Sequence, residues 1–158
     1  MSWEELSAPA KKAASGQAPV RMVAYGPGGG RVRLGVLLSV DVMAQLLPEA
    51  AKGEGGKPRF VVALGTGEHA HQLRVQPNEH GAFAASHIGL SRGGPGVYRL
   101  VLPIFDWLPD EAVPAIACRH EVTRDKALIV DLPGYVIKAR DQARRDRARL
   151  ELEKAARR

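Results

Sequence analysis

The sequence predicts a mostly β domain with short helices, barrel-like in its strand order, followed by a separate basic C-terminal helix. Three observations predict it. Apolar residues alternate with polar ones in short runs across residues 20–133, which is the period of half-buried strands. Glycine and proline clusters punctuate those runs at intervals too short for long helices. From Val136 to Arg158 glycine and proline vanish, and the chain becomes Ala, Arg, Lys, Glu, Gln and Leu with a few Asp, nearly all good helix formers.

The elements follow in order. Residues 1–19 read as a flexible tail: Ser2 and Glu5 have capping-box spacing, but SAPAKKAASGQAP is small, polar and broken by proline. VRMVAY (20–25) is a strand, and GPGGG (26–30) is a turn. In RVRLGVLLS (31–39), Val32, Leu34 and Val36 alternate with Arg31, Arg33 and Gly35, so this is a half-buried strand. VDVMAQLLPEAA (40–51) changes to helical spacing with Asp41 as a plausible N-cap. After the loop KGEGGKP (52–58), RFVVALG (59–65) and HQLRVQP (71–77) form a hairpin across TGEHA. Residues 78–96 are loop-rich with one short strand near 82–85. VYRLVLPIF (97–105), AIACRHEV (115–122) and ALIVDLP (127–133) are the remaining strands, with WLPDEA and TRDK as turns.

Composition narrows the class. At 158 residues, 45% hydrophobic and 25% charged, the chain holds one globular domain with extensions. Its one cysteine, Cys118, excludes an internal disulfide and a multi-cysteine zinc site. The N-terminus has acids where a secretory signal needs bases, and no run approaches the ~20 apolar residues that span a bilayer. A cytoplasmic protein without a membrane partner is expected. The net charge of +6 is unevenly placed. Residues 138–158 carry nine basic and four acidic side chains, whereas residues 13–137 carry 12 and 11.

Two stretches of the body look alike. RVRLGVLLSVDVMAQLLPEA, RFVVALG and QLRVQP are echoed by VYRLVLPIFDWLPDEA, AIACRHEV and ALIVDLP. Arg33-Leu34 matches Arg99-Leu100, Leu47 to Ala50 matches Leu108 to Ala112, and Pro77 matches Pro133 as the end of the closing strand. An internal duplication (31–77 and 97–133) explains this, as does chance similarity of two β-meanders. The order of strand, short helix with a leucine-rich end and closing hairpin resembles the swapped-hairpin domain of AbrB-type and MraZ-type regulators. The likeness is best over 31–77 and weaker over 97–133. It implies a swapped-hairpin β-barrel and a DNA-binding transcriptional regulator of bacterial or phage style. It also implies contact through arginines of the leading strands, Arg31 and Arg33 first, then Arg59 and Arg99. Arginines at i and i+2 share one face of a strand, as neighbouring phosphates require; a merely solvated strand face has the same pattern.

Other features of the sequence bear on chemistry. His69-Ala-His71 places two imidazoles on one side of a strand, as some metal sites do. Its setting, a turn with exposed histidines, argues against a metal. GPGGGR lacks the Lys-Ser/Thr and following helix of a phosphate loop. Cys118 is in phase with Ile116 and reads as a small buried hydrophobe, not an activated thiolate. Phe105 and Trp107 read as a packing anchor, with a partner pocket as the alternative. No cofactor, metal site or catalytic constellation is legible, so a binder is expected in place of an enzyme.

The final helix has Arg144, Arg145, Arg147 and Arg149, suited to phosphates or an acidic protein surface. Spacing predicts i,i+4 pairs, among them Asp141–Arg145, Arg147–Glu151 and Arg149–Glu153, each worth ~0.2–0.5 kcal/mol on an exposed helix. Two readings follow: a DNA-binding regulator, or a non-enzymatic adaptor (antitoxin-like, for example) whose helix docks on an acidic partner. Helical self-association into a homo-oligomer is a further use of the same segment.

Overall fold

The structure is a computed structural model that describes residues 18–26, 31–51, 57–89 and 96–157. The expectations for the tail to residue 17, for the core of the GPGGG turn and for most of KGEGGKP lie outside the described residues. The strands are β1 (Val20–Tyr25), β2 (Arg33–Ser39), β3 (Arg59–Leu64), β4 (Gln72–Pro77), β5 (Phe83–Ala84), β6 (Ser86–Ile88), β7 (Val97–Val101), β8 (Val113–Ala117), β9 (His120–Val122) and β10 (Leu128–Asp131). The helices are α1 (Val40–Leu46), α2 (Pro48–Ala51) and α3 (Gly134–Ala156). Every strand expected from alternation is present, but some are shorter. The 97–105 run stops pairing at Val101, and the 115–122 run divides at Cys118 and Arg119.

Two helix details differ from expectation. Ser39, not Asp41, caps α1, its side-chain oxygen accepting from the Val42 N–H at 3.2 Å. Pro48 divides the segment 40–51 in two, because the residue before a proline avoids the α region; Leu47 sits at φ −141°, ψ 89°.

The strands make two five-stranded antiparallel sheets. The first runs β6-β7-β2-β1-β8 and the second β5-β3-β4-β10-β9. Buried residues of both inner faces form one core, including Met22, Leu34, Val36 and Leu100 from the first sheet and Phe60, Leu73, Val75, Leu128 and Val130 from the second. Met43 and Leu46 of α1 and Val136 of α3 complete it. Among the described residues no closed barrel forms, which corrects the expectation from sequence. At two corners the chain passes from one sheet to the other. Segment 83–88 edges the second sheet as β5 and the first as β6, but Ala85 between them donates its N–H to the Pro58 carbonyl at 2.8 Å. Segment 113–122 does the same in reverse as β8 and β9. There Cys118 donates to the Val20 carbonyl, and the Asp131 N–H to the Arg119 carbonyl, both at 2.9 Å. Strands that change sheet at a bend are how orthogonal sheets make their corners.

The two alike sequence segments occupy matching places in this order. β2 pairs with β7, and Gly35 faces Val101, the same 66-residue spacing that separates Arg33 from Arg99. β4 pairs with β10, where Arg74 faces Ile129 at the centre of the matching triplets Leu73-Arg74-Val75 and Leu128-Ile129-Val130. Each sheet takes strands from both segments, β2 with β7 and β8 in the first and β3–β4 with β9–β10 in the second, while β1, β5 and β6 lie outside them.

Candidate nucleic-acid interface

Alternation decides what the first sheet shows outward. Val20, Met22, Ala24, Leu34, Val36, Leu38, Leu100 and Leu102 point into the core, so Arg21, Val23, Tyr25, Arg33, Leu37, Arg99 and Val101 share the opposite face. Register sets their rows. Arg21, Leu37 and Arg99 lie side by side on β1, β2 and β7, flanked by Ala117 and Ser86. Val23, Gly35 and Val101 form the next row, and Tyr25 and Arg33 the one after. The five strands of this sheet contain no Asp or Glu.

Gly35 shapes the centre of that face. A Cβ there would lie 3.1 Å from Tyr25 Cε1 and 3.2 Å from Val23 Cγ1, closer than carbons pack at ease (~3.5–4.0 Å). The missing side chain lets the Tyr25 ring lean over β2. On the far side, the Arg99 guanidinium carbon sits 5.4 Å from the Tyr25 ring centre, within cation–π range. Arg21 Nε and Arg99 Nε are both buried without a hydrogen-bond partner. Most buried donors have one, so such a pair on a single row is unusual.

The structure separates the arginines expected from sequence. Arg33 and Arg99 are on the acid-free face. Arg31 precedes β2 and turns to another loop: its Nη1 lies 3.4 Å from Asp106 Oδ1, and its Nε 3.9 Å from Asp110 Oδ1. Asp110 also accepts from the Val32 N–H at 3.3 Å, so the 106–110 turn staples the start of β2. Arg59 belongs to the second sheet, where its Nε donates to the Gly81 carbonyl at 2.9 Å. Arg21 and Tyr25 went unnoticed in the sequence. The signal was available in VRMVAY, because inward Val20, Met22 and Ala24 force Arg21 and Tyr25 outward.

Arg144, Arg145, Arg147 and Arg149 are exposed on α3. The helix is held at its N-terminal half: Val136 is buried, and the Arg140 guanidinium donates to the Ala70 carbonyl at 2.8 Å. Partial burial and neighbouring Arg144 lower the Arg140 pKa. From Arg147 to Arg157 every residue is exposed, Leu150 and Leu152 included. Among the described residues the helix holds one ion pair, Arg149 with Asp146 at 3.8 Å; the predicted i,i+4 pairs are not formed. Asp106, Trp107 and Pro109 face Ala139, Ala143, Asp146 and Leu150 across a groove of about 510 Å³. Phe105 and Trp107 stack at 4.7 Å and pack partly buried on the core. The 106–110 turn thus stands between Arg31 and α3.

The remaining reactive side chains are quiet. Cys118 is half-buried, and its thiol pKa is raised, chiefly by that burial, which disfavours the thiolate. Tyr135 has a buried hydroxyl without a partner, and desolvation pushes its pKa up to about 12. His69 lies in a 3₁₀ turn with Nδ1 3.1 Å from Gln72 Oε1 and Nε2 3.7 Å from Glu68. Among the described residues no three His, Cys, Asp or Glu side chains gather as a metal site would require, and no helix is long and apolar enough to cross a membrane. Neither protein-family models, nor curated proteins, nor solved structures yield a match to this chain.

Proposed function

We propose that this chain is a non-enzymatic DNA-binding regulator that grips the nucleic acid with the outer face of its first sheet and adds affinity through α3. The observation that carries the reading is charge segregation. The near-neutral body puts Arg21, Arg33 and Arg99 on a face whose five strands have no carboxylate. A cationic surface without internal counter-charges attracts phosphates and repels few. The pairing of each segment's strands with the other's also agrees with a swapped-hairpin ancestry of the AbrB or MraZ kind, and with a duplication of 31–77 and 97–133. A cytoplasmic location follows from this reading.

The test is anisotropy titration of a labelled mixed-sequence DNA, offered as single strand and as duplex. Three phosphate contacts predict a loss of roughly twentyfold or more in affinity between about 50 and 200 mM salt. Binding of either form with that dependence supports the reading; salt-independent binding, or none of either form at about 50 mM salt, overturns it.

One observation favours the adaptor reading: α3 beyond Asp146 is exposed on all sides and rich in arginine. Deleting residues 147–158 separates the two. A regulator built on the sheet keeps reduced DNA binding, whereas an adaptor that docks through the helix loses its acidic partner entirely.

A further inference from the structure

The shape of the first sheet restricts which form of DNA its outer face can take. Five strands spaced ~4.8 Å apart span ~19 Å, whereas the B-form major groove is ~12 Å wide and admits a helix or a two-stranded ribbon. The sheet cannot enter that groove. Against a duplex it would meet the phosphate ridges, and the stacked bases would stay out of reach.

The middle of the face is not a phosphate surface. Tyr25, Val23, Leu37 and Val101 are partly exposed there, with Arg21, Arg33 and Arg99 around them. A duplex would desolvate these apolar groups against charged oxygens and return nothing. An unpaired base offers them an apolar face, and its phosphate offers the arginines a charge. Base-on-aromatic stacking beside a cationic track is how single strands are held. Tyr25 is placed for this, since Gly35 beneath it leaves the ring lying across the sheet. The unpartnered Nε–H groups of Arg21 and Arg99 gain acceptors if their guanidinium groups lift to a phosphate.

Outward from β1, β2 and β7, these rows present no carboxylate and no side-chain amide; the choice of sugar comes from the DNA-binding reading and is tested with RNA, whose 2′-hydroxyl both donates and accepts. We propose that the outer face of the first sheet is a binding platform for single-stranded DNA, with Tyr25 stacking a base and Arg21, Arg33 and Arg99 holding the flanking phosphates. This rests on the DNA-binding reading above and names the form of the ligand.

The experiment uses the full chain and one mixed-sequence oligonucleotide offered as single-stranded DNA, duplex DNA and single-stranded RNA, at one salt concentration. Single-stranded DNA is expected to bind roughly tenfold or more tighter than the duplex and tighter than the RNA. Tyr25→Ala should weaken it roughly tenfold, with a smaller loss on the duplex, and Tyr25→Phe should retain it. Circular-dichroism melting of both variants establishes that they fold. Equal or tighter duplex binding overturns the proposal and leaves the regulator reading standing, as does a folded Tyr25→Ala variant that binds unchanged. Tighter RNA binding overturns the assignment to DNA, and failure of all three ligands to bind overturns both readings.

Discussion

The outward faces of the two sheets differ, although matching segments build them. On the first, Arg21, Arg33 and Arg99 stand without acids, around Tyr25 and three aliphatic side chains. On the second, the row through Arg74 runs Ala63, Arg74, Ile129, Glu121, and the neighbouring row pairs Gln72 with Asp131. Its arginines are matched by carboxylates on the same face, and Arg59 is committed to the Gly81 carbonyl. The contrast teaches that a net charge near zero does not make a neutral surface. Among the described residues the body's acids sit in the two short helices, in turns and on the second sheet, and the pairing of β1, β2 and β7 collects arginines from separate parts of the chain.

The largest effect should come from reversing charge on one face at a time. Arg33→Glu with Arg99→Glu is expected to lower DNA affinity by roughly a hundredfold, since two contacts are lost and two repulsions gained. Arg59→Glu with Arg74→Glu should change it several-fold at most. Comparable losses from both pairs, read by anisotropy, would erase the distinction between the faces.

A smaller effect should distinguish a structural arginine from a surface one. Arg59→Ala removes the bond to the Gly81 carbonyl, and urea unfolding should report a loss of about 1 kcal/mol. Among the described residues Arg33 has no hydrogen-bond or ion-pair partner, and Arg33→Ala should stay within about 0.5 kcal/mol of the parent. Gly81 itself is held tightly: a Cβ there would meet the Phe60 backbone at 2.3 Å.

The smallest effect concerns the corner where the sheets meet. The pKa of Tyr135 is raised from 10 to about 12, so between those values the folded state binds more protons than the unfolded. Stability is therefore full below about pH 10 and declines as pH rises through about 12. Tyr135→Phe should flatten that part of the pH profile. At neutral pH it should be neutral or slightly stabilising, because it deletes a buried hydroxyl that has no partner. A clear loss of stability in Tyr135→Phe at pH 7 would show that the hydroxyl is bonded.

Much of the fold was legible because its causes are local. Alternation in 20–25, 33–39 and 72–77 depends only on neighbouring residues, as does the helical composition from Val136 onward. The resemblance of 31–77 to 97–133 was legible for the same reason. The interface was legible in part. Arg33 and Arg99 were found from their strands. Arg21 joins them only through pairing, because its place in a row with Arg99 depends on β1 and β7 both lying against β2. Arg31 was grouped with Arg33 because i and i+2 share a face on a regular strand. Its neutralisation comes from Asp106 and Asp110, 75 or more residues further along the chain.

By itself the sequence determined the order and type of most elements, the inward face of β2 and the basic character of the last helix, since periodicity and composition act within a few residues. Tertiary structure alone decided that the strands divide into two sheets bent at Ala85 and Cys118, that Tyr25 reaches Arg99 across Gly35, and that one face is free of acid. Those outcomes depend on which strands pair and in what register. Pairing is set by burial of a shared core, and a shared core exists only once distant segments have met.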